Sequence, residues 1–508
     1  MIKRLSSHNQ SDHPIVQWPP IEERMGVHLL ARRSPLRRIV VMVDNELLPK
    51  DTTGAPTTKD RVLGGLLGSD LVLLYRYADE GPPADTPAMT PPDIAGGWNA
   101  SWFYEGWVTV THFVPESDTW GVAYAIPPSS YATGGIVGNI VQIATTDVRF
   151  DVYSDLSPDD AAQKREADAI ASQVASQALK PDLYITERPY LHHVNRWIAK
   201  GTTLCSVDEA LPLLGLYFRA QDQYPIVAGF NYNRGLFYLV GARELLPESW
   251  RYLTALQQYA SAAGNESIVG LAFSLFQRLE RALQDRDRVH LALNQPQHRD
   301  TQRDALSQLD AALVDLMSCV DVAARIAHLV LGFPENSSYQ ASWQRHGNRT
   351  WISQVKRAHP ALAAVVAPGS RGYDALMILR LLRNRVHGAI LNGFALKEAG
   401  GDLQSVMEIP ETEEPDVMAA MDALGGRAGW GTRNTIPGEC HVDPGEFADR
   451  LFDEVVVLLN KIMENTPVER LVGVSLIADD SAPPSSVPNR PNFFDPWAMK
   501  SIRWQLGF

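Results

Sequence analysis

The chain has 508 residues, of which 45% are hydrophobic and 21% are charged, and its formal net charge is −13. This length favours two or more domains. The acidic balance excludes binding of nucleic acid through overall charge, so any contact with RNA requires a local basic patch. The three cysteines lie far apart, which argues against a disulfide framework and against a zinc site built from cysteine pairs.

The N-terminal segment is polar, without the apolar stretch of a signal peptide. No segment has the apolar length that a membrane-spanning helix needs. We therefore expect a cytoplasmic protein that has no membrane contact.

The first half of the chain predicts an α/β domain at 36–200, after a polar N-terminal arm at 1–35. Residues 39–43 form a continuous apolar run that ends at Asp44, which is typical of a parallel strand buried on both faces. The other predicted elements are a second such strand (71–75), a loop (79–97), antiparallel strands (107–111 and 120–126), a helix from Ser157 and a strand (183–186).

The second half predicts helices. A helical connecting region spans 206–295, an all-α helical bundle spans 300–465, and a Pro-rich strap spans 466–508. The bundle is predicted to contain a long amphipathic helix (304–331), a shorter helix (350–366), a helix at 371–392 and a last helix from Asp443. The segment 400–440 fits either a regulatory loop or a passive insertion.

A polar stripe lies late in the helix predicted at 371–392. Arg380, Asn384 and His387 follow each other at spacings of four and three residues, so they project from nearly one side of the helix, with Arg383 on the flank. A guanidinium, an amide and an imidazole in this arrangement can grip a phosphate and move a proton beside it.

This stripe resembles the HEPN family of small helical bundles, which occur in bacterial toxins, abortive-infection proteins and RNA-cleaving effectors. The family's motif is an arginine, four to six residues and a histidine, often with asparagine directly after the arginine. Arg380 and His387 are separated by six residues, whereas Arg383-Asn384 supplies the Arg-polar pair with three residues before His387. Either arginine therefore remains a candidate for the family's role.

The resemblance implies RNA cleavage without a metal or other cofactor. The ribose 2′-hydroxyl would attack the adjacent phosphate, His387 would transfer protons, and Arg380 or Arg383 would stabilise the charge that develops. Asn384 would orient the imidazole or the phosphate. The resemblance also implies a homodimer, because two motif helices of this family usually meet across a dimer. The alternative is a structural stripe whose Arg and His cap or pair with neighbouring groups.

A second candidate site is acidic and lies in the first half. Asp44 and Glu187 sit at the ends of predicted strands, and Asp168 lies on the helix between them. Carboxyl ends of parallel strands gather at one edge of a sheet. Three carboxylates that converge there would hold Mg²⁺ or Mn²⁺ and activate water for phosphodiester hydrolysis. The alternative places Asp44 in a turn, Asp168 on a solvated helix face and Glu187 beside Arg188.

The acidic pattern is similar to the PIN domain, a metal-dependent nuclease fold of many toxins. In that family the last helix–strand passage often begins with Asp-Ala, continues with small residues and ends on a strand with Thr-x-Asp. Residues 166–188 follow this pattern loosely, with Glu187 directly after Thr186 in place of the usual final Asp. The resemblance implies a PIN-like domain that is either an active nuclease or a degenerate, non-catalytic domain.

These patterns together predict a PIN-like α/β domain followed by a HEPN-like helical domain. The first functional hypothesis is a metal-independent endoribonuclease related to toxins or phage defence, with RNA as substrate and a regulatory protein as a further partner. The second is a non-catalytic scaffold or sensor that binds a nucleotide or a protein partner. The third is a metal-dependent PIN-like nuclease.

Overall fold

The computed structural model describes residues 38–50, 57–89, 103–104, 106–112, 119–126, 130–137, 139–147, 152–193, 202–227, 230–295, 299–344, 350–386, 390–397, 403–433, 440–476 and 496–508. The predicted N-terminal arm lies outside the described residues. The chain divides into two compact units, which we call the α/β unit (Ile2–Asn231) and the helical unit (Tyr232–Leu506). The boundary falls inside the region predicted as a helical connection, 206–295. The predicted order of an α/β region before a helical region is confirmed.

The α/β unit has alternating strands and helices near the two ends of its sequence and a run of six consecutive strands between them. Its elements are β1 (Ile39–Asp44), α1 (Lys59–Leu67), β2 (Val72–Tyr77), β3 (Ala88–Met89), β4 (Phe103–Tyr104), β5 (Val108–His112), β6 (Thr119–Ile126), β7 (Ser130–Val137), α2 (Asn139–Thr146), α3 (Pro158–Gln173), β8 (Leu183–Ile185), α4 (Pro189–His193), β9 (Thr203–Cys205), α5 (Val207–Ala220), β10 (Pro225–Val227) and β11 (Phe230–Asn231).

The centre of this unit is a parallel sheet with the strand order β2-β1-β8-β9. The apolar run of β1 is buried because the strand is paired on both sides and covered on both faces. β2 lies on one side of β1 and β8 lies on the other, so the direction of the strand order changes at β1. In such sheets ligands bind outside the carboxyl ends of the strands at this switch point.

Antiparallel strands and a long helix complete the unit. β5, β6 and β7 form a three-stranded antiparallel sheet, which confirms the two strands predicted from β-branched and aromatic residues. The start of α3 is also as predicted, because the Ser157 side chain accepts a hydrogen bond from the Asp160 amide and Pro158 occupies the first turn. The helix continues as a π-helical turn, Val174–Leu179, and ends at Lys180, whose φ is 48°.

The helical unit is built from long amphipathic helices and one small sheet. Its elements are α6 (Arg234–Leu245), α7 (Ser249–Ala263), α8 (Ser267–Leu293), α9 (Arg299–Val330), α10 (Trp351–Ala358), α11 (Pro360–Ala364), α12 (Arg371–Val386), β12 (Gly393–Lys397), β13 (Leu403–Glu408), α13 (Glu414–Ala423), β14 (Thr432–Arg433), β15 (His441–Val442), α14 (Pro444–Asn465) and α15 (Pro496–Gln505).

The two longest described helices, α8 and α9, pack against each other and form the core of the unit. α12 packs on α9, α13 and α14, and α15 packs on α6. The contact between α15 and α6 requires a glycine at position 241, because a Cβ there would lie 2.7 Å from Leu506 Cδ1 and 3.3 Å from Ile502 Cγ2. Part of the predicted C-terminal strap is therefore a docked helix.

The prediction of an all-α second half was wrong in one respect. β12, β13, β15 and β14 form a four-stranded antiparallel sheet in that spatial order. The segment 400–440 supplies β13, α13 and β14, so its described part is built into the unit. No helix in the described part of the chain is long and apolar enough to cross a membrane.

Candidate functional site

The carboxyl edge of the parallel sheet holds a cluster of charged side chains centred on Arg188. We call Arg188 and the carboxylates of Asp44, Asp79 and Asp168 the Arg188 cluster. Arg188 Nε lies 3.0 Å from Asp44 Oδ2, Nη1 lies 3.0 Å from Asp168 Oδ1, and Nη2 lies 2.9 Å from Asp79 Oδ1. One guanidinium therefore donates hydrogen bonds to three carboxylates.

The topology explains how this cluster is assembled. Asp44 is the last residue of β1, Asp79 follows β2, and Asp168 lies on α3, the helix that precedes β8. Arg188 follows β8, which lies beside β1 in the sheet. The parallel arrangement brings the carboxyl ends of the three strands to one edge, and the helix supplies the third carboxylate from the side.

Every second residue along β8 and the segment directly after it points towards Asp44. Tyr184, Thr186 and Arg188 all donate hydrogen bonds to Asp44, the first of them from Tyr184 Oη to Oδ1 at 3.0 Å. Side chains two residues apart on an extended chain lie on the same face. Glu187 consequently lies on the other face.

Glu187 is exposed and its Oε1 accepts a hydrogen bond of 2.8 Å from the Val207 amide at the start of α5. It thus caps a helix and does not join Asp44 and Asp168. The structure brings those two predicted residues together through Arg188, and it adds Asp79, which the sequence placed in a loop.

Two of the carboxylates are almost fully shielded from solvent. Asp44 and Asp168 are each 1% exposed, whereas the Asp79 side chain is 39% exposed. Burial raises the pKa of Asp44 above its ordinary value, although Arg188, Thr186 and Tyr184 act to lower it. Burial likewise raises the pKa of Asp168 to about 6 against the opposing effects of Tyr153 and Arg188.

Aromatic side chains hold the cluster from two directions. Tyr153 Oη donates a hydrogen bond of 2.6 Å to Asp168 Oδ2. The Arg188 guanidinium lies over the Tyr77 ring, 5.4 Å from its centroid, which is within the range of a cation–π contact. These contacts fix both the carboxylate and the guanidinium in place.

A divalent cation does not fit the cluster in this arrangement. Both oxygens of Asp44 and both oxygens of Asp168 already accept hydrogen bonds, and the space between the carboxylates holds a cation in the form of Arg188. Within the described ranges, no group of three or more His, Cys, Asp or Glu side chains is placed to hold a metal ion. Mg²⁺ and Mn²⁺ need several oxygen ligands converging on one point, and in this structure the Arg188 guanidinium lies between the carboxylates.

Part of the cluster lines a cavity in the α/β unit. The cavity has a volume of about 910 Å³. Asp44, Asp79 and Arg188 line it from the sheet edge, and Lys50 and Arg76 line it with positive charge. The Arg76 guanidinium lies 5.9 Å from the centroid of the Trp107 ring, which also lines the cavity.

The second predicted site lies on α12 of the helical unit. Arg380 Nη1 donates to the Gln344 carbonyl oxygen at 3.5 Å, and its Nη2 lies 2.9 Å from Met377 Sδ. Arg383 Nη1 lies 3.4 Å from Asn384 Oδ1. The two candidate arginines therefore contact different neighbours, and His387 lies outside the described residues.

Arg380 and Arg383 are both half-buried, and they differ in their neighbours. Asn384 is exposed, and Arg383 Nε is buried without a hydrogen-bond partner among the described residues. Asp321 on α9 lies close enough for Arg383 to act on its charge: burial raises the pKa of Asp321, and Arg383 opposes that rise. This guanidinium thus has a nearby counter-charge and an unused donor.

A third cluster of charged groups lies in the interior of the helical unit. Asp449 Oδ1 accepts from Arg286 Nε at 2.7 Å and from His290 Nε2 at 2.8 Å. All three side chains are at most 3% exposed. Burial favours the neutral form of Asp449, but Arg286 and His290 lower its pKa below the ordinary value. This cluster joins α8 to α14, and its three side chains are buried among the described residues.

Comparisons with protein-family models, with curated proteins and with solved structures found no match to this chain.

Proposed function

We propose that the α/β unit is a PIN-like domain that binds a nucleotide or a similar phosphate-bearing ligand and does not hydrolyse it through a metal. The observation that carries this proposal is the set of hydrogen bonds from Arg188 to all three carboxylates of the cluster. Carboxylates that are held by an internal cation are not presented to Mg²⁺ or Mn²⁺.

Both the family pattern and the geometry support a non-catalytic PIN-like domain. Asp168 is followed by Ala169 and lies on the helix that leads into β8, as in the family's Asp-Ala passage, and Asp44 ends the first strand. In the Thr-x-Asp pattern that ends this passage, Thr186 is followed two positions later by Arg188. Glu187, directly after Thr186, stands in for the family's final Asp in the sequence, but in the structure Arg188 is the residue that reaches Asp44 and Asp168.

The cavity beside the cluster suits a small polar ligand. Its volume of about 910 Å³ falls in the range of ligand sites in proteins. It lies at the switch point of a parallel sheet, the usual place for ligands in this architecture. Lys50 and Arg76 offer two cationic groups for phosphates, and Asn45 and Glu46 offer polar groups for the rest of the ligand.

Calorimetric titration of the full chain with ATP in the presence of EDTA tests this proposal. We expect binding, with at least about tenfold weaker affinity in Lys50→Ala and in Arg76→Ala, because each variant removes a charge-assisted hydrogen bond to phosphate. Lys59→Ala is the matched control, since Lys59 forms an exposed ion pair with Asp208 elsewhere in the unit. Absence of ATP binding, or equal loss in the control, contradicts the proposal.

As a second candidate function, we propose that the helical unit is HEPN-like and cleaves RNA without a metal, as in toxin or phage-defence proteins. Arg383 Nε, which has no hydrogen-bond partner in the described part of the chain, and the exposed side chain of Asn384 favour this function. Arg383 would hold the phosphate, Asn384 would orient it and His387 would transfer protons. Two copies of the motif helix would complete the cleft in a homodimer.

Cleavage of labelled RNA, with and without EDTA, separates these functions. We expect EDTA-resistant cleavage that is lost in His387→Ala and retained in Asp44→Ala. Cleavage that requires a divalent cation and is lost in Asp44→Ala supports a metal-dependent nuclease instead. If the wild type cleaves no RNA under any condition, the helical unit is a binding or dimerisation module.

A further inference from the structure

The carboxylates of the Arg188 cluster need a cation between them to remain ionised. Three carboxylates meet at the carboxyl edge of the sheet, and two of them, Asp44 and Asp168, are 1% exposed. Buried carboxylates repel each other and lose their hydration, so a nearby positive charge is required to keep them ionised. In this chain the charge comes from the side chain of Arg188.

Arg188 joins the same elements that a bound ion at this position would join. Its N–H groups contact the ends of β1 and β2 through Asp44 and Asp79, and they contact α3 through Asp168. The guanidinium is planar and carries five N–H groups, so it can bind several carboxylates at once. It supplies one positive charge, whereas a divalent cation would supply two.

The position of Arg188 is fixed by its surroundings. The backbone amide of Arg188 donates to Thr186 Oγ1 at 3.1 Å, and the guanidinium lies over the Tyr77 ring. Its side chain is only 10% exposed. These contacts hold the Arg188 side chain against the three carboxylates.

We propose that Arg188 is a built-in replacement for a divalent cation at the carboxyl edge of the α/β unit. The wild-type cluster consequently takes up neither Mg²⁺ nor Mn²⁺, and removal of the guanidinium turns Asp44, Asp79 and Asp168 into ligands for such an ion. The inference rests on the contacts of Arg188 and is independent of which ligand the neighbouring cavity binds.

The experiment titrates Mn²⁺ into the full-length wild type and into Arg188→Met, and follows the loss of the free-ion signal by electron paramagnetic resonance. Methionine removes the charge and is a poor ligand for hard cations. We expect the variant to bind Mn²⁺ at least about tenfold more tightly than the wild type, because a fixed positive charge no longer opposes the ion. Thermal unfolding of the variant should shift upwards with Mn²⁺, and the wild type should not shift.

Two further variants show where the ion binds and why. Asp44→Asn in the Arg188→Met background should abolish the gained binding, since it removes a ligand from the cluster. Arg188→Lys keeps the positive charge while losing the planar fork, and it should exclude Mn²⁺ as the wild type does. If Arg188→Lys binds Mn²⁺ as tightly as Arg188→Met, then charge is not what keeps the ion out, and the proposal fails.

Unfolding of the Arg188→Met variant is itself informative. A variant that folds only when Mn²⁺ is present supports the proposal, because the ion then performs the role of the guanidinium. A variant that stays unfolded with and without Mn²⁺ overturns it. Binding of Mn²⁺ by the wild type that is lost in Asp44→Asn overturns it as well, since the native site would then accept an ion beside Arg188 or in its place.

Discussion

Two arginines define the two candidate sites, and they differ in what their guanidinium groups bind. Arg188 in the α/β unit contacts three carboxylates and an aromatic ring, so its guanidinium binds side chains of the same unit. Arg383 in the helical unit keeps a buried Nε without a partner among the described residues and lies beside the exposed Asn384. The two arginines thus differ in how many of their donors the described residues satisfy.

Removing each guanidinium in turn should give the greatest difference in stability between the two sites. Arg188→Met leaves two buried carboxylates without their cation and should destabilise the α/β unit by about 3–5 kcal/mol at neutral pH without added metal. Arg383→Met should cost less than about 1 kcal/mol, since its neighbours are partly solvated. Hydrogen–deuterium exchange of β1 and of α12, read by mass spectrometry, measures the two effects separately. Similar losses in both variants would show that Arg383 is equally structural.

The stability of the α/β unit should also depend on pH because of Asp168. Its pKa of about 6 in the folded protein exceeds the ordinary value of 3.8, so its contribution to stability is complete below pH 4 and is lost as the pH rises through 6. A shift of this size corresponds to something on the order of 3 kcal/mol. Asp168→Asn should therefore lack this loss of stability between pH 4 and 7.

Urea unfolding of the α/β unit at a series of pH values, followed by hydrogen exchange in β1 and β8, checks this dependence. Asp208→Asn is a suitable control, because Asp208 is an exposed carboxylate of the same unit. It should retain the pH profile of the wild type. A profile of Asp168→Asn that matches the wild type would show that another group causes the dependence.

A smaller effect concerns the hydrogen bond from Tyr153 to Asp168. Tyr153→Phe removes a bond of 2.6 Å to a charged acceptor and should cost about 1.5–3 kcal/mol. The pKa of Asp168 should rise above its wild-type value, since this bond lowers it. Carboxyl-carbon NMR titration measures the change. Tyr224→Phe, whose hydroxyl bonds to Asp222, should leave the titration of Asp168 unchanged.

Substitution of Asn384 should change stability least. Because its side chain is exposed, Asn384→Ala should alter the unfolding free energy of the helical unit by no more than about 0.5 kcal/mol, while RNA cleavage falls. Asn460→Ala is the opposite control: it removes a bond of 2.8 Å to the Leu245 carbonyl and should lower stability without affecting cleavage. A large loss of stability in Asn384→Ala would make the motif helix a structural feature.

Much of the fold could be predicted from hydrophobic patterns. The apolar run of β1, the Ser157 cap of α3 and the spacing of apolar residues in α9 each predicted the element that the structure contains. The sheet in the helical unit was missed because β14 and β15 have two residues each, too few to show alternation. Their pairing depends on contacts far apart in the sequence.

The sequence predicted only part of the candidate site, and strand geometry explains which residues were missed. Asp44 and Asp168 were found because they follow or precede apolar runs. Glu187 was expected to join them, but on an extended chain it faces away from Thr186 and Arg188. The alternation of Tyr184, Thr186 and Arg188 along the strand could have indicated that a basic residue faces Asp44. For Asp79, the only sequence signal was its position shortly after β2.

The most direct test of the account is a crystal structure of the wild-type protein grown in the presence of MnCl₂, with anomalous diffraction recorded for manganese. We expect the Arg188 guanidinium within hydrogen-bonding distance of Asp44, Asp79 and Asp168, with no anomalous density among them. Manganese density between Asp44 and Asp168, with Arg188 turned away from both, would contradict it.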